Sequence, residues 1–283
     1  MITLKELDDA GLHTELAQVL ATWPLYRELT YKGSTAISLP DMIEYYCTQC
    51  KMKQTWRATM VRNSPPQDFG RQLRTFRCAN CKDQAITFAY IWRDVSIGIE
   101  KDLTRYRSFT KFGQWPAQEE RIPTELEAAL GQGADLNLYK AALRLRNFNN
   151  GIGAMAYMRR VVRSHIDEML EILSEDSAQA NGASAERLES LKTAPFAEKV
   201  EAAAELFPAS LVPDGDPNPL MPLYELSSEA MYSLSDSEAV ELFDQCRLVF
   251  EYVFSRLRPQ IQERRRFHLD LQRLASRKSV WTE

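Results

Sequence analysis

The chain lacks several features that would place it in a common class of protein. No stretch contains eighteen consecutive apolar residues, and residues 1–9 show no basic segment followed by an apolar run. Neither a membrane-spanning helix nor a secretory signal is therefore expected. Glycine-rich phosphate loops, the nucleophile elbow of hydrolases and the His-Glu-x-x-His motif of zinc proteases are missing as well. The sequence predicts a cytoplasmic protein without a standard enzyme signature.

Cysteine is scarce, with five residues in a chain of 283. Four of them form two Cys-x₂-Cys pairs, Cys47 with Cys50 and Cys78 with Cys81, separated by 27 residues. This spacing is typical of a tetrahedral zinc site, and the alternative is two coincidental pairs of buried or redox-active cysteines. We expect one structural Zn²⁺ bound by all four thiolates, because a closed four-cysteine site leaves no open position for water or substrate.

The fifth cysteine, Cys246, has no partner for a disulfide framework, which favours a reducing compartment. It shares the apolar stripe of a predicted helix with Ala239, Phe243, Phe250, Val253 and Leu257. An inert buried thiol is therefore favoured over a reactive nucleophile.

The formal net charge of −4 conceals two basic segments. Between residues 51 and 111 there are thirteen Lys/Arg against five Asp/Glu, and between 256 and 278 there are eight against two. Basic segments of this kind can bind the phosphates of nucleic acid or an acidic partner protein. The candidate contacts are Arg57, Arg62, Arg71, Arg74, Arg77, Arg159, Arg264, Arg265 and Arg266.

Aromatic residues interleave with the first basic segment and allow two interpretations. They can stack on nucleic-acid bases, or they can fill the core of a small β domain whose charges form a solvated outer face. The residues concerned are Trp56, Phe76, Phe88, Tyr90 and Trp92.

Residues 1–118 are predicted to form a zinc-ribbon-containing domain with a small antiparallel sheet. Apolar residues at helical spacing, beginning at Leu12 and Leu16, predict a helix that packs on the ribbon. Alternating runs over 85–92 and 95–99, separated by Arg93 and Asp94, predict a β-hairpin, and the Gly- and Pro-containing segment 111–117 predicts a turn that ends the domain.

Residues 119–283 are helical in character. The stripe Met155, Met158, Val162, Ile166, Met169 and Leu173 predicts a central helix over 154–174. Before it, Gly151 is a candidate left-handed cap, and Gly153 allows close approach of a neighbouring helix. A capping signature at Ser235 or Asp236 starts a later helix, which Pro259 ends or kinks ahead of a basic tail.

Two segments of this half, residues 153–162 and 223–236, resemble a bacterial domain-of-unknown-function family of the HEPN (higher eukaryotes and prokaryotes nucleotide-binding) superfamily. The resemblance covers roughly residues 135–257. It implies an antiparallel helical bundle, a homodimer, and kinship with metal-independent ribonucleases as well as with noncatalytic binding proteins.

In active members of that superfamily, an Arg followed four to six residues later by a His cleaves RNA. Arg160 and His165 match this spacing. On a continuous helix, however, five residues turn about 500°, which leaves the two side chains roughly 140° apart. The family also places Asn and His where this chain has Ser228 and Tyr232, and tyrosine is a poor proton shuttle near neutral pH.

The sequence as a whole predicts an α+β protein, a zinc-ribbon domain followed by an all-α HEPN-like bundle. The predicted function is a noncatalytic binding or assembly module that dimerises through its helical half and contacts nucleic acid or a partner protein in a bacterial defence or regulatory complex. The alternative is a ribonuclease that uses Arg160 and His165.

Overall fold

A computed structural model describes residues 4–5, 9–32, 39–59, 70–97, 104–118, 121–131, 133–178, 190–191, 193–207, 209–212 and 218–280, some of them by their backbone alone. The chain forms two compact units. Residues 1–119 together with 147–149 form one, called the sheet unit, and residues 120–146 together with 150–283 form the other, called the helical unit.

The described strands of the sheet unit pair into a single seven-stranded sheet. The first strand pairs with the second in parallel, and all other neighbours are antiparallel. Across the sheet the order is β1 (Leu4–Lys5), β2 (Glu28–Lys32), β7 (Thr104–Trp115), β6 (Ala85–Ile97), β5 (Gly70–Cys78), β4 (Met52–Ala58) and β3 (Met42–Cys47).

The prediction of a small antiparallel ribbon sheet is wrong. Strands β3 to β6 carry the cysteine pairs, but β7 pairs with both β6 and β2 and extends the sheet well beyond them. The predicted turn over 111–117 is in fact the end of β7, where Gly113 lies opposite Ala89. A Cβ at Gly113 would lie 3.1 Å from the Cβ of Ala89, so this glycine serves close strand packing instead of a turn. The broader α+β arrangement, a sheet followed by helices, agrees with the prediction.

Strand β6 runs unbroken through Arg93 and Asp94, where the sequence predicts a hairpin turn. In the ladder between β6 and β7, Arg93 lies opposite Ser108 and Asp94 lies opposite Arg107. The Nε of Arg107 donates to Oδ1 of Asp94 at 3.1 Å. An opposite-charge pair across two strands stabilises the ladder. Arg93 and Asp94 therefore belong to a paired strand and do not form a turn.

Helix α1 (Asp9–Thr22) packs on one face of the sheet, the inner face, as predicted. One core joins the buried residues of this helix to those of the strands: Leu12, Leu16, Val19, Leu20, Leu29, Ile43, Trp56, Phe76, Phe88 and Phe109. This face is the apolar side of the sheet, and side chains on the opposite, outer face alternate with it along each strand.

A buried lysine of β7 interacts with the C-terminal end of α1. The Nζ of Lys111, on β7, donates to the backbone carbonyl of Leu20 at 2.9 Å, and the Lys111 side chain is fully buried. The last turn of α1 contains no basic residue of its own. A cation at this end satisfies an orphan carbonyl and interacts favourably with the negative end of the helix dipole.

The helical unit contains α2 (Thr124–Leu130), α3 (Ala134–Asn147), α4 (Gly151–Ala178), α5 (Phe196–Leu206), α6 (Leu220–Ser233) and α7 (Asp236–Val280), with a short 3₁₀ turn over Ala209–Leu211. The predicted central helix is confirmed as α4. Its stripe of Met155, Met158, Val162, Ile166 and Met169 is buried in one core with residues of α7, whereas the Leu173 side chain lies outside the described part of the chain.

Helix α4 begins in close contact with the start of α7. The predicted left-handed cap at Gly151 is wrong, because the left-handed residue is Asn149, with φ 59°, and Gly151 is the first residue of α4. A Cβ on Gly151 would lie 2.2 Å from the carbonyl oxygen of Asp236 and 2.4 Å from the backbone nitrogen of Val240. Close helix approach is therefore the reason for glycine here. The Oδ1 of Asp236 in turn accepts the N–H of Ile152 at 3.1 Å.

The capping signature before α7 is confirmed, with Ser235 as the cap. Oε2 of Glu238 accepts the Ser235 hydroxyl at 2.6 Å and the Ser235 backbone N–H at 2.9 Å. These two bonds hold the pKa of Glu238 below its ordinary value. The Glu238 backbone N–H in turn donates to the hydroxyl oxygen of Ser235 at 3.5 Å, which completes a capping box.

The sequence predicts that Pro259 either ends or kinks this helix. Helix α7 continues through Pro259 and is 45 residues long, so the first alternative is wrong. A proline inside a helix removes one backbone hydrogen bond but does not prevent the helix from continuing on both sides. Within the described residues, no helix is both long and apolar enough to cross a bilayer.

Candidate metal centre and basic sheet face

The four paired cysteines lie at the tips of two neighbouring hairpins. Cys47 ends β3 and Cys50 lies in the turn before β4, while Cys78 ends β5 and Cys81 lies in the turn before β6. Strands β4 and β5 pair with Trp56 opposite Cys78, and this register places both turns at the same end of the sheet. Strand pairing thus brings together two motifs that are 27 residues apart in the sequence.

The sulfur positions fit a tetrahedral ion. All four Sγ atoms lie within 4.8 Å of one another, with 3.6 Å between Cys47 and Cys81 and 3.9 Å between Cys50 and Cys78. In a tetrahedron with metal–sulfur bonds of about 2.3 Å, two sulfurs are about 3.8 Å apart. A disulfide would require about 2.05 Å, and all four cysteines are free. The cluster can therefore hold a metal ion.

The two cysteine turns have similar backbone shapes. Lys51 and Lys82, each directly after the second cysteine of its pair, have left-handed φ values of 56° and 62°. In the first turn, the Cys50 N–H donates to Sγ of Cys47 at 3.4 Å. The Nδ2 of Asn80, in the second turn, donates to Sγ of Cys50 at 3.4 Å and links the two turns. Donors of this kind disperse negative charge on thiolates and orient them toward a metal.

The thiols differ in how readily they ionise without a metal. Burial raises the pKa of Cys47 to about 12. The backbone N–H of Gln84 lowers the pKa of Cys81 to about 7, with a further contribution from the N–H of Asp83. A divalent cation supplies the charge needed to keep all four sulfurs deprotonated, so binding of the ion releases protons.

The cluster is continuous with the core of the sheet unit. Cys47 and Cys78 are buried in the same core as Trp56 and Phe76. A metal ion bound by the cysteines would therefore tie the hairpin tips to the packed centre of the sheet.

The outer face of the sheet carries exposed basic side chains. Lys53 and Arg57 lie on β4, and Arg71 and Arg77 lie on β5. Arg57 is directly opposite Arg77 in the strand register. Because like charges directly opposite one another destabilise a sheet, this pair lowers the stability of the ladder between β4 and β5. On β3, the carboxylate of Glu44 accepts the hydroxyl of Thr55 at 2.6 Å.

Large apolar side chains are exposed on the same face, including Met42 on β3, which is 55% exposed and opposite Arg57. Leu73 on β5 is 63% exposed and Trp115 on β7 is 77% exposed. Small residues lie between them, because Trp115 is opposite Thr87 and Leu73 is opposite Ala89, which is itself opposite Gly113. The result is a flat strip across β5, β6 and β7. We call the surface formed by Lys53, Arg57, Arg71, Leu73, Arg77 and Trp115 the basic face.

Arg74 lies apart from the basic face. It is opposite Phe88, whose side chain is buried on the inner face, and its Nη2 donates to Oδ1 of Asp41 at 2.8 Å. The aromatic residues interleaved with the basic segment fill the core: Trp56, Phe76, Phe88 and Tyr90 are all buried. Base stacking by these four residues would require unpacking the sheet.

The other candidate contacts are dispersed. Arg159 on α4 is half-buried, with its guanidinium carbon 5.8 Å from the centre of the Tyr224 ring, and Arg266 is exposed on α7. Arg62 lies outside the described residues, as do the side chains of Arg264 and Arg265.

Comparison with known proteins gives no relative. No protein-family model, no curated protein and no solved structure matches this chain. The predicted HEPN-like fold of the helical unit is accordingly without support from any known protein.

The candidate ribonuclease residues do not share a site within the chain. Arg160 and His165 lie on the continuous helix α4, where Arg160 is exposed and His165 is 5% exposed. The His165 ring packs against the rings of Phe250 and Phe254, and its Nδ1 is 3.3 Å from Oδ2 of Asp135. Core packing therefore accounts for the position of the histidine.

The structure also describes the surroundings of Ser228, Tyr232 and Cys246. The Ser228 hydroxyl donates to the carbonyl of Tyr224 at 2.9 Å, and the Tyr232 side chain is almost fully exposed. Burial raises the pKa of Cys246 to about 11, so this thiol is protonated at neutral pH, in keeping with an inert role.

Three residues of the basic face, Lys53, Leu73 and Trp115, are absent from the candidates predicted by the sequence. The two-residue period of β5 is a signal that would have grouped Leu73 with Arg71 and Arg77 and set Arg74 apart. No comparable signal identifies Trp115, because the glycine and proline around it predict a turn and not a strand.

Proposed function

We propose that the protein binds single-stranded nucleic acid on the basic face of its sheet unit, and that a structural zinc ion holds the hairpins that carry this face. The observation that carries the proposal is the cross-strand pair of Arg57 and Arg77. An arrangement that costs stability in the free protein becomes favourable when a phosphate lies between the two guanidinium groups.

The charges on β4 and β5 suit a phosphate backbone. Lys53, Arg57, Arg71 and Arg77 form an exposed basic group on two adjacent strands. Arg77 is also oriented by the Lys82 carbonyl, which accepts its Nη1–H at 2.8 Å. Several cations along one path allow electrostatic binding that does not depend on sequence.

The flat strip beside these cations suits exposed bases. Trp115 offers an aromatic surface for stacking, and Leu73 adds apolar area on the far side of the strip. Base faces are accessible in single strands and are hidden in a duplex, so this combination favours single-stranded ligands.

Zinc is the proposed ion because four thiolates in a tetrahedron match its preferred ligands and geometry. The ion has a structural role in this proposal, since all four ligand positions are filled by protein. Its contribution to binding is to hold β3 to β6 in register, including the two strands that carry the arginines.

A titration with fluorescently labelled RNA and DNA of about a dozen nucleotides, single- and double-stranded, tests the proposal. We expect tighter binding of single strands, with log affinity falling linearly against log salt and a slope of about −2 to −3 for three or four phosphate contacts. Absence of binding at the lowest salt would remove nucleic acid as the ligand and leave an acidic protein surface as the partner to test.

Variants locate the binding surface. Arg77→Ala should reduce the salt slope by about 1, and Trp115→Ala should weaken binding by about 1–3 kcal/mol with the slope unchanged. The matched control is Arg74→Ala, on the same strand but the opposite face, which should bind as the unaltered protein does. Equal losses in Arg74→Ala and Arg77→Ala would contradict the assignment to the basic face.

A further inference from the structure

Helix α7 has a large surface that the described residues leave uncovered. At 1.5 Å per residue, its 45 residues extend about 67 Å. The first half contributes Phe243, Phe250 and Leu257 to the core of the helical unit. In the second half, Phe267 is 64% exposed and Leu274 is 62% exposed.

Most of the described apolar side chains that are exposed on α7 lie on one side of the helix. At 100° per residue, six of them fall within a sector of about 140°. We call this set the α7 stripe: Leu248, Val249, Tyr252, Phe267, Leu271 and Leu274. The exposed Leu269 lies outside the sector.

The charges of α7 are divided between its halves. Residues 236–257 contain five Asp/Glu and two Arg, which gives −3, and residues 258–280 contain seven Lys/Arg and two Asp/Glu, which gives +5. The first half of the helix is therefore acidic and the second half basic, and the stripe residues form two groups, 248–252 and 267–274. Within the helical unit, Asp244 is already paired with Arg146 and Glu251 with Arg247.

We infer that two copies of the chain associate through the α7 stripe, with their α7 helices antiparallel. An antiparallel pair sets the acidic half of each helix against the basic half of the other, whereas a parallel pair would align like charges. The contact is isologous, since each copy presents both halves of the same surface. This complementarity within one helix favours a second copy over nucleic acid or an anionic membrane, because either of those would meet the acidic half.

Two pairs of stripe residues fit one register. With the two-fold axis next to Pro259, Tyr252 of one copy lies level with Phe267 of the other, and Leu248 lies level with Leu271. Leu248 is 70% exposed in the single chain and becomes buried in this pair.

Analytical ultracentrifugation of the full zinc-loaded chain tests the association. We expect a mass twice the 32.5 kDa of one chain, a dissociation constant that rises with salt, and monomers for Leu248→Asp and for Leu271→Asp. Both side chains are exposed, so the variants should keep the far-UV circular dichroism of the parent. A monomeric parent at low salt and about 100 µM, or dimers in both variants, would overturn the inference.

Disulfide trapping in a Cys246→Ser background tests the orientation. Pro259→Cys places a thiol next to the proposed two-fold axis and should give a covalent dimer rapidly on mild oxidation. Phe267→Cys lies far from its counterpart in an antiparallel pair and should react no faster than Leu269→Cys outside the stripe. Faster trapping through Phe267→Cys than through Pro259→Cys means parallel helices and refutes the arrangement.

Discussion

The sheet unit and the helical unit hold their chain segments together by different means. In the sheet unit, two hairpin tips meet at a cluster of four sulfurs that is part of the core. In the helical unit, α4 and α7 meet at Gly151, where no room remains for a Cβ. With the proposed zinc ion bound, order at the first contact depends on that ion and on the protonation of its ligands, whereas order at the second depends on shape.

The units also differ in charge. The sheet unit carries sixteen Lys/Arg against thirteen Asp/Glu, while the helical unit carries nineteen against twenty-six. A polyanion is attracted to the first and repelled by the second. The difference explains why a modest net charge is compatible with the proposed binding of nucleic acid by the sheet unit.

Removal of a cysteine ligand should have the largest effect and should be confined to the sheet unit. Cys47→Ser leaves three thiolates at the site, and because the ion ties the hairpin tips to the core, we expect loss of bound zinc and of sheet structure. Zinc is measured by elemental analysis. Four of the five tryptophans, Trp23, Trp56, Trp92 and Trp115, lie in the sheet unit, so their emission reports its unfolding, while ellipticity at 222 nm follows the helices.

The matched control for this variant is Cys246→Ser, which alters the one cysteine outside the cluster. It should retain one zinc per chain and unaltered tryptophan emission. Retention of full zinc by Cys47→Ser would mean that the sulfur cluster is not the metal site.

Gly151→Ala should be the most damaging single change in the helical unit. The new Cβ would meet backbone atoms of α7, which cannot move aside as a side chain can, so we expect a loss of about 3 kcal/mol in the free energy of unfolding. Urea unfolding followed by far-UV circular dichroism measures the change. Gly133→Ala, where a Cβ has no neighbour within 4 Å, is the control and should change stability by less than about 1 kcal/mol.

Arg146→Ala should destabilise the helical unit by about 2 kcal/mol. The buried guanidinium donates to Asp244 through Nε at 2.8 Å and through Nη2 at 2.6 Å, joining α3 to α7. The loss is moderated because the Asp244 carboxylate is partly exposed and can be hydrated. Arg144→Ala, an exposed arginine on the same helix, is the comparison, and equal unfolding free energies for the two variants would show that the ion pair contributes nothing.

Ser235→Ala should have the smallest effect, about 1 kcal/mol, because it removes the cap of α7. Hydrogen bonds from Ser235 lower the pKa of Glu238. The ionised Glu238 carboxylate therefore stabilises the folded state at pH values above its ordinary pKa, and this stabilisation is lost as pH falls through the lowered pKa of the folded state. Thermal unfolding at several pH values should show this loss in the parent and not in Glu238→Gln. The same pH dependence in Glu238→Gln would assign it to another group.

The cysteine cluster, the central helix α4 and the Ser235 cap could be predicted because each has a signal within one short segment or one motif. Thiolate pairs have a spacing set by metal coordination. Buried methionines follow the period of one helix, and a capping box spans only four residues. The hydrogen bonds between Ser235 and Glu238 join residues only three positions apart, so the cap does not depend on distant segments of the chain.

The extent of the sheet could not be predicted in this way. Strand β7 contains Gly113 and precedes Pro116, which locally indicate a turn, and it becomes a strand by pairing with β6 and β2. The same pairing separates Arg74 from Arg71 and Arg77 by setting which side of β5 faces α1. The requirement for glycine at position 151 also comes from a distant segment, since the carbonyl oxygen that a Cβ would meet belongs to Asp236, 85 residues away in the chain.

By itself, the sequence determined the sulfur ligands, the principal helix and the charge of each segment, because these depend on residue identity and short-range spacing. Tertiary structure alone decided which charges share a surface and where backbones approach closely. Those properties arise from contacts between segments far apart in the chain, where hydrophobic burial and strand register outweigh local preference.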